Sequence, residues 1–274
     1  MKVLLLTPPM TQLNTPYPAT AYLTGFLRKN GFDAVQADPA IELVLKLFST
    51  EGLSEMRAEI QAGLKSQKGA KAGLLPASIG FFLDHSDQYI QMVEPVVRFL
   101  QGKDPSLALR IVSREFLPEG PRFVAVNEGA DPDGSDPISW AFGSLGVQDR
   151  AKYLASLFID DLADLVREGI DSRFELSRYG EKLAASSPTF EPLDEALRSN
   201  PTLVDRYLQQ IVENLIQQFS PTVIGLTVPF PGNVYGAFRI AQQIKKISPK
   251  SILIMGGGFV NTELRDLSEP RVFD

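Results

Sequence analysis

The 274-residue sequence contains no cysteine. Disulfides, zinc ribbons, cysteine nucleophiles and iron–sulfur clusters held by this chain are thereby excluded. It has a single histidine, His85, which excludes multi-histidine metal sites and two-histidine acid–base chemistry. No stretch approaches the ~18–20 unbroken apolar residues of a membrane span. Pro8 and Pro9 stop the run Val3–Leu6 before it could form a signal-peptide core. Positive charge is in the minority: 27 Lys and Arg stand against 33 Asp and Glu, a net charge of −6. An acidic surface argues against binding nucleic acid or anionic membrane. These absences lead to the expectation of a cytoplasmic protein with no nucleic-acid or membrane partner.

What is present can build a core. Apolar residues make up 44% and charged residues 22%, close to the soluble globular average. At ~100–200 residues per domain the length suits one large domain, or one domain carrying a big insertion.

The two ends carry an alternating rhythm. Val3–Leu6 is a short apolar run that fits a strand buried on both faces. Residues 19–30 read as a helix with Tyr22, Leu23, Phe26 and Leu27 on its apolar face, stopped at Gly31. Residues 32–37 read as a second strand, ending at Asp38-Pro39. At the other end, 201–219 is an amphipathic helix, 223–228 a strand, 234–247 a helix and 252–255 a strand before Gly256-Gly257-Gly258. A further helix is expected over 262–267 with Thr262 as its N-cap, and the chain turns towards another strand at Arg271-Val272-Phe273. The expected fold is α/β: a Rossmann-like, flavodoxin-like open parallel sheet with helices on both faces. Residues 1–39 with 201–274 would form it, cut short at the C-terminus, and 40–200 would be a mostly helical insertion with helices near 54–65, 88–100, 149–168 and 191–197.

In such sheets ligands bind beyond the carboxyl ends of the strands. The loops there are 7–17, Asp38-Pro39, 227–233 and 256–260. Thr227–Asn233 holds prolines, a glycine and an asparagine. Gly256-Gly257-Gly258 offers bare main chain, on which a flat group could lie; three glycines equally allow a tight strand-to-helix turn. There is no G-x-G-x-x-G after the first strand and no Gly-Lys-Ser/Thr, so dinucleotide or ATP binding in the usual way is not expected.

Three segments together resemble a family. Lys2–Pro9, Tyr17–Gly31 with Asp38, and Val223–Val228 through Gly256-Gly257-Gly258 look like the cobalamin-binding domain of cobalamin-dependent radical S-adenosylmethionine proteins, relatives of the anaerobic magnesium-protoporphyrin monomethyl ester cyclase. In cobalamin-binding domains a Ser/Thr-x-Leu segment is followed at a restricted spacing by Gly-Gly. Thr227-Val228-Pro229 fills the first slot, with Pro229 in place of leucine, and Gly256-Gly257 the second. The Asp-x-His-x-x-Gly whose histidine ligates cobalt from below is absent, as in many of the radical proteins.

The resemblance implies a cobalamin-binding and positioning module of a methyltransferase or an oxidative cyclase, an oxidoreductase. Its platform for the corrin would be Thr7, Pro8, Pro9, Thr11, Tyr17, Val228, Phe230, Pro231 and Asn233. Its groove for the nucleotide tail would be Thr227 and Gly256, Gly257, Gly258 and Phe259, with Pro229 and Asp38 alongside. S-adenosylmethionine, the 4Fe-4S iron–sulfur cluster and the unknown small-molecule substrate would belong to a C-terminal radical domain of the parent chain beyond Asp274. The rivals are a self-contained flavodoxin-like enzyme acting on a small anionic substrate, and a non-catalytic interaction module. No catalytic or protein metal-ligating residue is assigned.

Other candidates have plainer readings. His85, in Asp84-His85-Ser86-Asp87, could reach cobalt as an axial ligand or stand at a helix start capped by Ser86 or Asp87. Asp131, Asp133, Gly134 and Asp136 approach a calcium loop, but the glycine comes early and Phe142 occupies the twelfth position, so a plain turn is expected. Asp160, Asp161 and Asp164 resemble a catalytic acid cluster, yet fit the solvated side of a helix. Trp140, Phe142 and Tyr153 could cover a ligand, but buried aromatics of the helical insertion are the default expectation.

Overall fold

The computed structural model describes residues 1–11, 13, 17–66, 74–124, 126, 146–185, 189–265, 269 and 271. In chain order the elements begin with β1 (Lys2–Leu6), α1 (Ala19–Lys29), β2 (Asp33–Ala37), α2 (Pro39–Leu47), α3 (Thr50–Ser66), α4 (Ala77–Leu100), α5 (Ala108–Val112) and α6 (Val147–Gly169). A small hairpin follows, β3 (Phe174–Glu175) with β4 (Arg178–Tyr179). Then come α7 (Glu181–Ala185), α8 (Glu191–Arg198), α9 (Leu203–Phe219), β5 (Val223–Thr227), α10 (Val234–Ile247), β6 (Ile252–Gly256) and α11 (Gly258–Thr262). Two compact units emerge: Met1–Val44 with Arg173–Asp274, and Leu45–Ser172.

The first unit holds a four-stranded parallel sheet in the order β2-β1-β5-β6. The fold is therefore the open, Rossmann-like α/β sheet that the strand–helix rhythm indicates. The chain moves outward from the centre in opposite directions, from β1 to β2 and from β5 to β6. Right-handed crossovers then place α1 and α10 on opposite faces. On the α1 face Val3, Leu5 and Ala34 form a buried cluster against which Leu27 and Val223 pack. On the other face Leu4, Leu6, Ile224 and Leu226 are almost wholly buried. β1 is apolar on both faces because both of its faces are covered.

Residues 173–200, expected with the insertion, pack instead with the sheet-bearing unit. The reason is a buried polar knot. Asp205, the third residue of α9, closes a capping box with Thr202 and has no solvent exposure. Its carboxylate accepts from Tyr179 Oη at 2.8 Å and Tyr235 Oη at 3.1 Å and pairs with Arg239 at 3.2 Å and Arg173 at 3.4 Å. Arg239 also donates to the carbonyls of Leu197 and Ala196. Buried charge demands such partners, and they come from the hairpin, α8 and α10 at once.

The second unit is helical. Tyr89 of α4 stacks on Phe158 of α6, with ring centroids 5.1 Å apart. Phe82, Val93, Val96, Leu154, Leu162 and Leu165 are buried beside them. Expected helices here and at 191–197 are present, with α4 beginning earlier, at Ala77.

Two local expectations fail. Thr262 ends α11 rather than starting a helix; its hydroxyl donates to the Gly258 carbonyl. The N-terminal turn is instead made at Gly257, whose φ of 121° only glycine adopts readily. In α1 the residues facing the sheet are Thr20, Thr24 and Leu27, while Tyr22 and Phe26 are 78% and 64% exposed. That helix is apolar over more than one face. Periodicity finds its axis, but the connection from β1 to β2 decides which side meets the sheet.

Candidate functional site

The α1 face of the sheet is covered over β1 and β2 but open over β5 and β6. Along β6, Ile252 and Ile254 point to that side in register with Val223 and Gly225, and they are 60% and 54% exposed. Between α1 and the open strands lies a trough of about 380 Å³, within the ~300–1,000 Å³ typical of small-molecule sites. Val3, Leu5, Val223, Gly225, Thr227, Ile254 and Gly256 form its sheet side. Ala19, Thr20, Leu23 and Leu27 form its helix side, with Tyr17 at the carboxyl end of the strands. Among the described residues no Lys, Arg, Asp or Glu side chain lines it.

Glycines give the trough its depth. Thr227 and Gly256 are direct register partners on β5 and β6. A Cβ added to Gly256 would meet no atom within 4 Å, so this backbone faces open space. Gly257 differs. A Cβ there would lie 2.6 Å from the Val228 carbonyl oxygen. It is held close because Val228 N donates to Gly256 O at 2.6 Å and Phe259 N to Pro229 O at 3.2 Å. Gly225 has no side chain in mid-strand, where one would press on Leu5.

The sequence-derived residues divide between this trough and the structure beneath the loops. Tyr17, Thr227, Gly256 and Gly257 line the trough. Phe230 is exposed at the same end, its ring edge-on to Tyr17 at 6.0 Å between centroids. Thr7, Pro8, Pro9, Thr11, Val228, Pro229 and Asn233 are buried, so they shape the loops more than they offer surface. Asn233 Nδ2 donates to the Pro8 carbonyl at 2.8 Å, and Met10 N to the Gly232 carbonyl, tying the loop after β1 to the loop after β5. Pro231 opens the short turn leading into α10, and Gly258 and Phe259 begin α11. Asp38 caps α2, its Oδ1 accepting from Ile41 N at 3.1 Å, with its carboxyl raised above the ordinary range by burial. It lies at the end of β2, away from the trough lining.

Sequence reasoning missed Thr20, Leu23, Gly225 and Ile254 as lining residues. Gly225 carried a signal, since glycine inside a strand marks a bulge or a close approach. Thr20 depends on which way α1 faces, and Ile254 on β6 being left open on that side; Leu23 had been placed on the apolar face of the helix without being assigned to a site.

In the helical unit, His85 sits at a break inside α4 (φ −118°, ψ 18°) where two helices meet, the place of a helix start. Its Nδ1 is 2.9 Å from the Phe81 carbonyl, and its ring stacks on Phe81. Ser86 and Asp87 are engaged by Arg57. Asp161 is 4% exposed, contrary to a place on the solvated side. It accepts from Gly120 N at 3.1 Å and Arg122 N at 2.9 Å, holding a turn whose amides need an acceptor. Burial pushes its carboxyl up to about 6. Asp164 pairs with Arg122 and Arg167, and Asp160 is half-buried. Tyr153, expected to be buried, is 40% exposed. Asp131, Asp133, Gly134, Asp136, Trp140, Phe142, Leu267, Val272 and Phe273 lie outside the described residues. Among the described residues no group of three or more His, Asp or Glu could hold a metal, and no helix is long and apolar enough to cross a membrane.

No family model, characterised protein or solved structure matches the chain.

Proposed function

We propose that the sheet-bearing unit is a cobalamin-binding module whose trough receives the nucleotide tail of the cofactor. One observation carries this reading: the Thr227 turn and the glycine triplet meet as register partners and, with Tyr17, border a deep, uncharged groove beside bare backbone. A nucleotide base is flat and uncharged and needs such a slot. The corrin is too wide for it and would rest above, near Tyr17 and the exposed Phe230. An anionic small-molecule substrate, as the flavodoxin-like alternative requires, finds no Lys or Arg side chain among the described residues of the trough lining.

The one histidine is held within its own helix, and the loop after β1 contains none. Nothing in that loop would supply an imidazole beneath cobalt. In a radical S-adenosylmethionine protein cobalamin supplies a cobalt centre for methyl transfer or for oxidative cyclisation. The 4Fe-4S cluster of such an enzyme needs cysteines, which this chain does not have; a radical domain would contribute them. The chain's own residues would bind and orient the cofactor.

Titration of the protein with hydroxocobalamin, followed by visible absorbance and by retention of colour on gel filtration, tests the reading. A saturable spectral change with co-eluting colour is expected. Colour that separates wholly from the protein contradicts it.

A further inference from the structure

The lining of the trough changes character along the strands. α1 follows the loop after β1 and returns to the start of β2, so it runs opposite to the strands it covers. Three lining residues with hydroxyls, Tyr17, Thr20 and Thr227, therefore stand at the carboxyl end of the sheet: just before α1, in its first turn, and at the last residue of β5. Two residues inwards from Thr227, ~6.6 Å along the strands, the register row is Leu5, Gly225 and Ile254. The row beyond holds Val3 and Val223, while Leu23 and then Leu27 follow along α1. Among these described inner lining residues no side chain carries nitrogen or oxygen. Met1 stands four residues beyond Leu5, ~13 Å along the strand, which keeps the terminal amine away from that row. Gly225 is paired on both sides, so its amide and carbonyl are spent within the sheet. Side-chain hydrogen bonding is thus offered at the carboxyl end, and hydrocarbon further in.

We infer that the trough selects the end group of its ligand: it takes a flat ring whose leading edge is hydrocarbon, discriminates against one whose leading edge carries amines or ring nitrogens, and uses Ile254 as a specificity-determining residue. This rests on the reading of the trough as a nucleotide-tail groove and names the tail it prefers. The sugar linkage stays with the hydroxyls, and the base points inwards over Gly225. 5,6-Dimethylbenzimidazole, the base of cobalamin, presents two methyl groups to Leu5, Leu23 and Ile254. Adenine, in a cobamide of the same corrin, brings an exocyclic amine and ring nitrogens among side chains that cannot hydrogen-bond. It would give up its hydrogen bonds to water without replacement. Binding is non-covalent throughout.

The experiment compares wild type with Ile254→Thr and Ile254→Val. These two variants share one shape, so they separate the added hydroxyl from the lost methyl. Ile254 is 54% exposed, so both should fold, and melting temperatures check it. Each protein is titrated with cobalamin, with the adenine-tailed cobamide and with cobinamide, which has no nucleotide tail. Wild type should prefer cobalamin over the adenine cobamide by about tenfold or more, the worth of two buried methyl groups. Ile254→Val should keep that preference within about twofold, whereas Ile254→Thr should narrow it at least about threefold. Cobinamide affinity should be the same for all three. Equal binding of the two tailed cobamides by wild type, or a preference that Ile254→Thr leaves unchanged, overturns the inference while the corrinoid reading stands. If wild type takes up no corrinoid at all, that reading fails separately, and the free bases decide. The Ile254 δ1-methyl signal in NMR is then followed with 5,6-dimethylbenzimidazole alone and with adenine alone. A saturable shift at lower concentration with dimethylbenzimidazole supports the inference. No shift with it, or equal affinity for adenine, overturns it.

Discussion

Adjacent glycines in this protein do opposite work. Gly257 adopts a φ of 121°, and its α-carbon faces the Val228 backbone so closely that a methyl group would collide with the carbonyl oxygen at 2.6 Å. Gly257→Ala should therefore lower unfolding stability by about 2–4 kcal/mol, through left-handed strain plus a backbone clash. Thermal melting checks this. Gly256→Ala should change the melting temperature by little, because its Cβ enters open space. A substitution at Gly257 would thus confuse misfolding with loss of binding, whereas one at Gly256 addresses the groove alone.

Asp161 gives the residue scale a pH signature. Its folded-state carboxyl titrates near 6, raised by burial from 3.8 against the hydrogen bonds from Arg122 N, Tyr89 and Gly120 N. A raised value means that the folded state holds its proton more tightly than the unfolded state. The associated stability is complete below about pH 4 and lost as the pH rises through about 6. Asp161→Asn has no such titration. The stability of wild type relative to Asp161→Asn should fall between pH 4 and 7, by on the order of 3 kcal/mol. Urea unfolding at both pH values reads it, and a flat difference contradicts the assignment.

At the scale of elements, most of the architecture was legible. Short apolar runs bounded by Pro or Gly at 3–6, 223–228 and 252–255 became parallel strands, the last of them exposed on one face, and Gly31 ended α1 with a φ of 81°. The misread elements share a cause. The facing of α1, the burial of Asp161 and the membership of 173–200 are each decided by partners distant in sequence. The Asp205 knot shows how much these partners matter. Asp205→Ala would leave Arg239, itself 3% exposed, without its carboxylate. A loss of about 3–5 kcal/mol is expected. Thr202→Ala, which removes only the capping hydroxyl, should cost about 1 kcal/mol. Denaturant titration of the two variants should rank them in that order.

On the scale of the whole molecule, the candidate site was half legible. The sequence pointed to the Thr227 turn and the glycine triplet, and the sheet sets them side by side. It also pointed to a run of loop residues, Thr7 to Thr11 and Val228 to Asn233, that are mostly buried and serve to lock the loops after β1 and β5 together. Loop composition reveals rigidity, but cannot separate a residue that shapes a rim from one that touches a ligand. Part of the helix side of the groove escaped detection because Ala19 and Thr20 look unremarkable until the direction of α1 is known.

The central claim is that a cofactor tail lies against the bare backbone of Gly256. The most direct test compares the affinity of wild type and Gly256→Trp for hydroxocobalamin, with circular dichroism and melting temperature measured on both. The indole should occupy the groove without disturbing the sheet. Binding should fall by at least about a hundredfold, equivalent to about 2.7 kcal/mol, while both proteins fold alike. Undiminished uptake by a well-folded Gly256→Trp protein would contradict the account.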